Sequence, residues 1–146
     1  MKPGEFIDRL DDARVVEAIR QAESKTSGEI RVFISRRTLG RDNLMTRAAT
    51  RFRKLGMDQT PERNGVLLYF MPKEQKFAVI GDMGINAQCG VSEWEKVAAE
   101  LKEGLRQGQV TEAVVGGVAS AGALLARHFP ARPGDRNDLP NEVSRD

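Results

Sequence analysis

Asn64-Gly65-Val66-Leu67-Leu68-Tyr69-Phe70-Met71 is the stretch that decides the fold. From Val66 to Met71 every residue is apolar, which leaves no solvent face and fits a strand covered on both sides. Asn-Gly is a common hairpin turn, but the residues ahead of it, Thr60-Pro61-Glu62-Arg63, cannot make an apolar partner strand. The dipeptide therefore launches a strand. Pro72-Lys73-Glu74-Gln75 then turns the chain, and Lys76 to Asp82 returns as an antiparallel partner.

Towards the N-terminus, Ile30, Val32 and Ile34 alternate with mostly polar residues over Glu29–Ser35, the pattern of a strand with one well-buried face. Ile7, Leu10, Val15, Ile19 and Ala22 recur at helical spacing, so a helix is expected from about Asp8 to Lys25, with Gly28 after its end. Between the two strands, Asp42 or Asn43 caps a helix that runs to Leu55 and stops at Gly56. Its apolar face is Leu44, Met45, Ala48, Phe52 and Leu55. Its other face carries Arg47, Arg51, Arg53 and Lys54.

Towards the C-terminus, Ser92-Glu93-Trp94-Glu95 reads as a capping box. The helix it opens buries Trp94, Val97, Ala98, Leu101 and Leu105 and stops at Gly108. Thr111 caps a last helix to about His128, ended by Phe129-Pro130. Its small residues, Gly116, Gly117 and Gly122 among them, permit close backbone approach and place it deep against the sheet. The reading is one α/β domain over residues 1–130, a single mixed sheet packed between helices in a Rossmann-like arrangement, with an extended polar tail over residues 131–146.

The composition agrees with a globular domain: 146 residues, 40% hydrophobic and 30% charged. A formal net charge of +2 gives no whole-molecule attraction to polyanions. Cys89 is the sole cysteine, which excludes an intramolecular disulfide and suits a reducing compartment. Met1 to Phe6 lack the apolar core of a signal peptide. The uncharged run Ala113–Ala126 is shorter than a bilayer span requires. A cytoplasmic protein with no transmembrane segment is expected.

Topology points to a site. A strand–helix–strand unit is parallel and right-handed, and the third strand runs back. Three polar segments then meet at one rim: Thr26–Glu29, Glu62–Gly65 and Asp82–Asn86. Oxygen donors from Glu29, Asn64, Asp82 and Asn86, with glycine-rich backbone close by, suit a hard cation such as calcium or magnesium. The plainer alternative is a glutamate–arginine pair at the end of a sheet.

The same segments carry a family resemblance. Thr26-Ser27-Gly28-Glu29-Ile30-Arg31-Val32, Arg63-Asn64-Gly65-Val66-Leu67-Leu68-Tyr69 and Phe77-Ala78-Val79-Ile80-Gly81-Asp82-Met83-Gly84-Ile85 resemble the successive signatures of the TPM-domain family, from about Asp8 to Pro130. The tail Asp135–Glu142 is similar to the ending of a short bacterial subgroup without signal peptide or membrane anchor. The resemblance implies a three-layer α/β/α sandwich with about four strands, divalent-cation binding, weak acid phosphatase activity, and a role in repair or assembly of membrane complexes. Exported members often have Gly-Tyr-Gly-Leu-Glu where this chain has Gly81-Asp82-Met83-Gly84-Ile85-Asn86; the family glutamate is thus replaced by Asn86, and Asp82 is gained.

The expected function is a cytoplasmic accessory or interaction module, with a protein partner and a divalent cation at the rim. One alternative is a metal-assisted phosphatase at that rim, a phosphatase-type hydrolase. Another is an anionic partner docked on Arg47, Arg51, Arg53 and Lys54, with nucleic acid disfavoured because aromatics are few. His128, the only histidine, has no nucleophile motif that pairs with it, and Cys89 offers none. Gly81-x-x-Gly84 matches no phosphate-cradling pattern.

Overall fold

The computed structural model describes residues 5–6, 9–132 and 142–146. Among the described residues, four strands form one mixed sheet in the order β3-β2-β1-β4: β1 Glu29–Ile34, β2 Gly65–Met71, β3 Lys76–Gly81 and β4 Val143–Arg145. β1 and β2 are parallel, β2 and β3 antiparallel, and β4 runs parallel to the second half of β1. The helices are α1 Asp12–Glu23, α2 Leu44–Lys54, α3 Met83–Asn86, α4 Val91–Arg106 and α5 Val110–His128.

Alternation along the strands divides the core. Ile30, Val32 and Ile34 of β1 join Val66, Leu68 and Phe70 of β2 beneath α1, α4 and α5. Phe33, Leu67, Tyr69 and Met71 face α2 on the other side, with Ala48, Phe52 and Met57. The result is an α/β/α sandwich. All seven residues of β2 are buried, as its apolar run requires. β1 differs from the expected half-buried strand: all six of its residues are buried, Glu29 and Arg31 included. Its polar positions mark a second covered face, not a wet one.

Local signals decide the helix ends. Asn43 caps α2, accepting from Thr46 N at 2.8 Å, and Gly56 takes φ 75° after it. Met45 does not share the apolar face and is 55% exposed. It stands about 100° around the helix from Leu44, off the stripe through Ala48 and Phe52. The helix expected from about Asp8 to Lys25 is shorter: Leu10 and Asp11 are not helical, Asp11 caps a helix that begins at Asp12 and ends at Glu23, and Ile7 and Asp8 lie outside the described residues.

Two expected caps are replaced. α4 begins at Val91 with Gly90 as its extended cap residue, so Ser92 lies inside the first turn and makes no capping bond. The chain is still leaving α3 at Cys89, whose N–H donates to Ile85 O, and Gly90 is the first extended residue after it. α5 begins at Val110. Thr111 Oγ1 instead accepts from Asp11 N at 3.0 Å and donates to Arg9 O at 2.7 Å, tying the segment before α1 to α5.

α5 is the middle helix of its layer, between α1 and α4. It is long and apolar enough, by length and composition, to cross a membrane, and half of that window is buried in the protein. Its glycines serve helix contacts more than sheet contacts: a Cβ on Gly122 would stand 2.6 Å from Ala22 Cβ, and one on Gly117 2.7 Å from Leu101 Cδ2. Among the tail residues, 133–141 lie outside the description, so the subgroup-like segment Asp135–Glu142 is described only at Glu142. Val143–Arg145 supply β4, a strand the sequence reading did not assign.

The Ala22–Gly122 contact gives a stability test. Gly122→Ala should destabilise by roughly 1–3 kcal/mol, the usual overpacking range, measured by urea denaturation. Ala22→Gly in the same chain should recover part of that loss. Strict additivity of the two substitutions would show that the contact is slack.

Candidate functional site

The register of the sheet builds the rim. Glu29 pairs with Gly65, and Asp82 N donates to Gly65 O at 3.0 Å, one residue past the Val66–Gly81 pair. Glu29, Gly65 and Asp82 therefore form a row across one end of the sheet. With strands about 4.8 Å apart, the outer Cα atoms are ~10 Å apart. Gly65 between them has no room for a side chain, because the Met57 carbonyl oxygen lies 2.9 Å from where its Cβ would be. Gly84 is equally constrained: a Cβ there would meet Glu62 O at 2.1 Å. Only glycine lets α3 start against this loop, where Gly84 N donates to Arg63 O at 2.9 Å.

Arg63 adopts φ 52°, a left-handed conformation that L-residues rarely hold. Its Nε and Nη2 donate to Asp82 Oδ2 and Oδ1 at 2.7 and 3.1 Å. Met83 N also donates to Asp82 Oδ1, at 2.8 Å. Asp82 is thus a bidentate arginine partner and the cap of α3. Asn64 is buried, and its Nδ2 donates to Ser27 Oγ at 3.2 Å. Ser27 Oγ donates in turn to Glu62, which pairs with Arg132 at 2.6 Å. Asn86 is exposed, its Nδ2 donating to Gly81 O at 3.4 Å. The three polar segments do converge. The plain glutamate–arginine pair is replaced by other partners: Arg63 pairs with Asp82, and Glu62 with Arg132.

Glu29 engages a different partner. Its carboxyl group lies beside that of Glu23, at the end of α1, close enough to act on its charge. Both residues are buried. Glu23 Oε2 accepts from Ile30 N at 2.7 Å, capping the β1 edge beyond the reach of β4. Arg31 lies beside the pair and binds Glu142 and, at 3.2 Å, Ser144 Oγ. Glu23 was missed by the sequence reading because it looks like any polar residue on an amphipathic helix.

Burial, with the Glu29 charge adding to it, pushes the Glu23 carboxyl up from 4.5 to about 9. Between those values the folded protein holds a proton that the unfolded chain has released. This contribution to stability is complete below 4.5 and is lost as pH rises towards about 9. Glu23→Gln cannot ionise, so its melting temperature should fall less than that of wild type over that range. Parallel pH profiles would overturn the raised Glu23 carboxyl.

The arginine face is partly committed to structure. Arg47 pairs with Asp42 at 2.9 Å. Arg51 pairs with Asp146 at 3.3 Å and lies 4.4 Å from the centre of the Phe33 ring. Arg53 and Lys54 are exposed.

A second polar cluster joins the start of α4 to the end of α5. Cys89 Sγ, a Glu93 carboxylate oxygen and a His128 ring nitrogen all lie within 4.8 Å of one another. The sequence reading found nothing to pair with His128, because the helix crossing that brings the three together leaves no motif. A cavity of about 230 Å³ lies at the opposite end of the sheet, lined by Phe6, Phe70, Phe77, Lys102 and Arg106 among others. It contains none of the residues expected at the site.

Fold and rim together define a class: a small α/β/α domain whose mixed sheet ends in a lip of carboxylates, amides and tightly turned glycines. The TPM domain matches residues 2–124, and the chain belongs to the TPM-domain family. It is similar to the BA42 protein of the psychrophilic bacterium Bizionia argentinensis, known from an NMR structure, with 34% identity and a TM-score of 0.87 over 94% of this chain and 95% of that one. No curated protein matches the chain.

Proposed function

We propose that this TPM domain is an accessory or interaction module that takes up a hard divalent cation, calcium or magnesium, at the rim of Glu29, Asn64, Asp82 and Asn86. The observation that carries the reading is the Glu29–Gly65–Asp82 row, with the Met57 carbonyl packed against Gly65 at its centre. Carboxylate and main-chain oxygens from separate segments are the donor set such ions take, at about 2.3–2.6 Å for calcium. The site as folded already holds positive charge in the cation's place: the Arg63 guanidinium on Asp82, and the proton that the raised Glu23 carboxyl keeps beside Glu29. Binding exchanges these for the metal. Arg63, with a side chain 39% exposed, has solvent to move into.

Calorimetry with calcium, magnesium and manganese tests this. Wild type should bind with release of a proton. Glu29→Gln and Asp82→Ala should abolish binding, and Arg63→Gln should tighten it roughly tenfold by removing the competing charge, the scale on which groups supporting a metal site act. No heat of binding in either wild type or Arg63→Gln ends the reading.

A second reading, a metal-assisted acid phosphatase at the same rim, is favoured by the same row: Asp82 would hold the cation, and Glu29 would take a proton from the water that attacks phosphorus. Phosphate-ester hydrolysis from acid to neutral pH should then be lost in Glu29→Gln and Asp82→Ala. Activity unchanged by both assigns the hydrolysis to another site or protein.

A further inference from the structure

We infer that Cys89, Glu93 and His128 form a second cation site, separate from the rim, for a borderline-soft divalent ion of the zinc or cobalt kind. The donor set is the first reason. A thiolate, an imidazole and a carboxylate are the three ligand types that zinc takes, and three of them leave a fourth position for water. The rim offers oxygen donors only, so the two sites sort ions by chemistry.

Geometry is the second reason. His128 Nε2 and Glu93 Oε2 stand 3.5 Å apart. That is long for a hydrogen bond, but it is the spacing of two ligands around one tetrahedral ion when each lies about 2.0–2.2 Å from the metal. Both atoms are shielded from solvent and have no hydrogen-bond partner among the described residues. Cys89 is 8% exposed and completes the triangle within 4.8 Å, so small side-chain adjustments close it on an ion. Arg127 reaches Glu93 through the other oxygen, Oε1, at 3.6 Å, and its 64% exposure lets solvent screen its repulsion of a cation.

The backbone holds the donors in place. Cys89 precedes α4, Glu93 is in that helix's first turn and His128 is the last residue of α5. The packing of α4 against α5, with Gly104 on Ala113 and Gly117 on Leu101, fixes the distance between them. Binding at the thiol exchanges its proton for the metal–sulfur bond, the proton passing to solvent.

Cobalt(II) titration of the full chain, stripped with a chelator, tests the assignment. Expected are a near-ultraviolet sulfur-to-cobalt charge-transfer band and the visible bands of a tetrahedral ion, both erased by equimolar zinc and left intact by excess calcium or magnesium. Cys89→Ser should lose the charge-transfer band. Glu93→Gln and His128→Gln should weaken cobalt binding by at least the roughly 10–100-fold that a lost supporting partner costs a metal site. A wild-type readout covers variants that fail to fold: zinc should slow alkylation of Cys89, the sole cysteine, by about the same factor. Absence of the sulfur band, its persistence in Cys89→Ser, or unaltered alkylation with zinc overturns the site. Cobalt at the rim alone gives no sulfur band, so failure here is distinct from failure of the rim reading.

Discussion

β1 carries Glu29 and Arg31 between two helical layers, and burial of ionisable groups is tolerated only where each is matched. Here the matches come from both ends of the chain. Glu23, closing α1, lies beside Glu29 with its carboxyl raised by burial, and accepts from Ile30 N. Glu142 and Ser144, flanking the start of β4, receive the Arg31 guanidinium. The requirement to neutralise one strand thus fixes where α1 stops, where β4 docks and which way Glu29 faces at the rim.

The central hairpin and the crossover were legible because their signals are local and strong. An apolar run such as Val66–Met71 has one reading once Asn64-Gly65 is excluded as a turn, and the Asn43 and Gly56 helix limits follow from ordinary capping chemistry. The two misread caps have different causes: Gly90, not Ser92, is the extended residue because the turns that follow α3 run on to Cys89, while Thr111 was already engaged by Arg9 and Asp11. β4 escaped notice because a three-residue edge strand has too little periodicity to stand out.

The two candidate sites differ in legibility for the same kind of reason. The rim is made where main-chain segments converge, and sheet topology alone predicts that convergence. Its partner choices were not predictable, because they depend on side-chain reach: Asp82 turns to Arg63 and Glu29 to Glu23. The Cys89–Glu93–His128 cluster depends on how closely two helices pack and at what level. That is set by Gly104 and Gly117, residues with no chemistry of their own.

β4 covers only the Val32–Ile34 half of β1. Over the other half, a carboxyl oxygen does what a neighbouring backbone would do, and the unpaired amide that another polypeptide could have used as a template is already taken. An open sheet margin invites cross-chain pairing and aggregation. A side chain that ends the ladder part-way keeps this margin too short to recruit a foreign strand, without the need for a longer fourth strand.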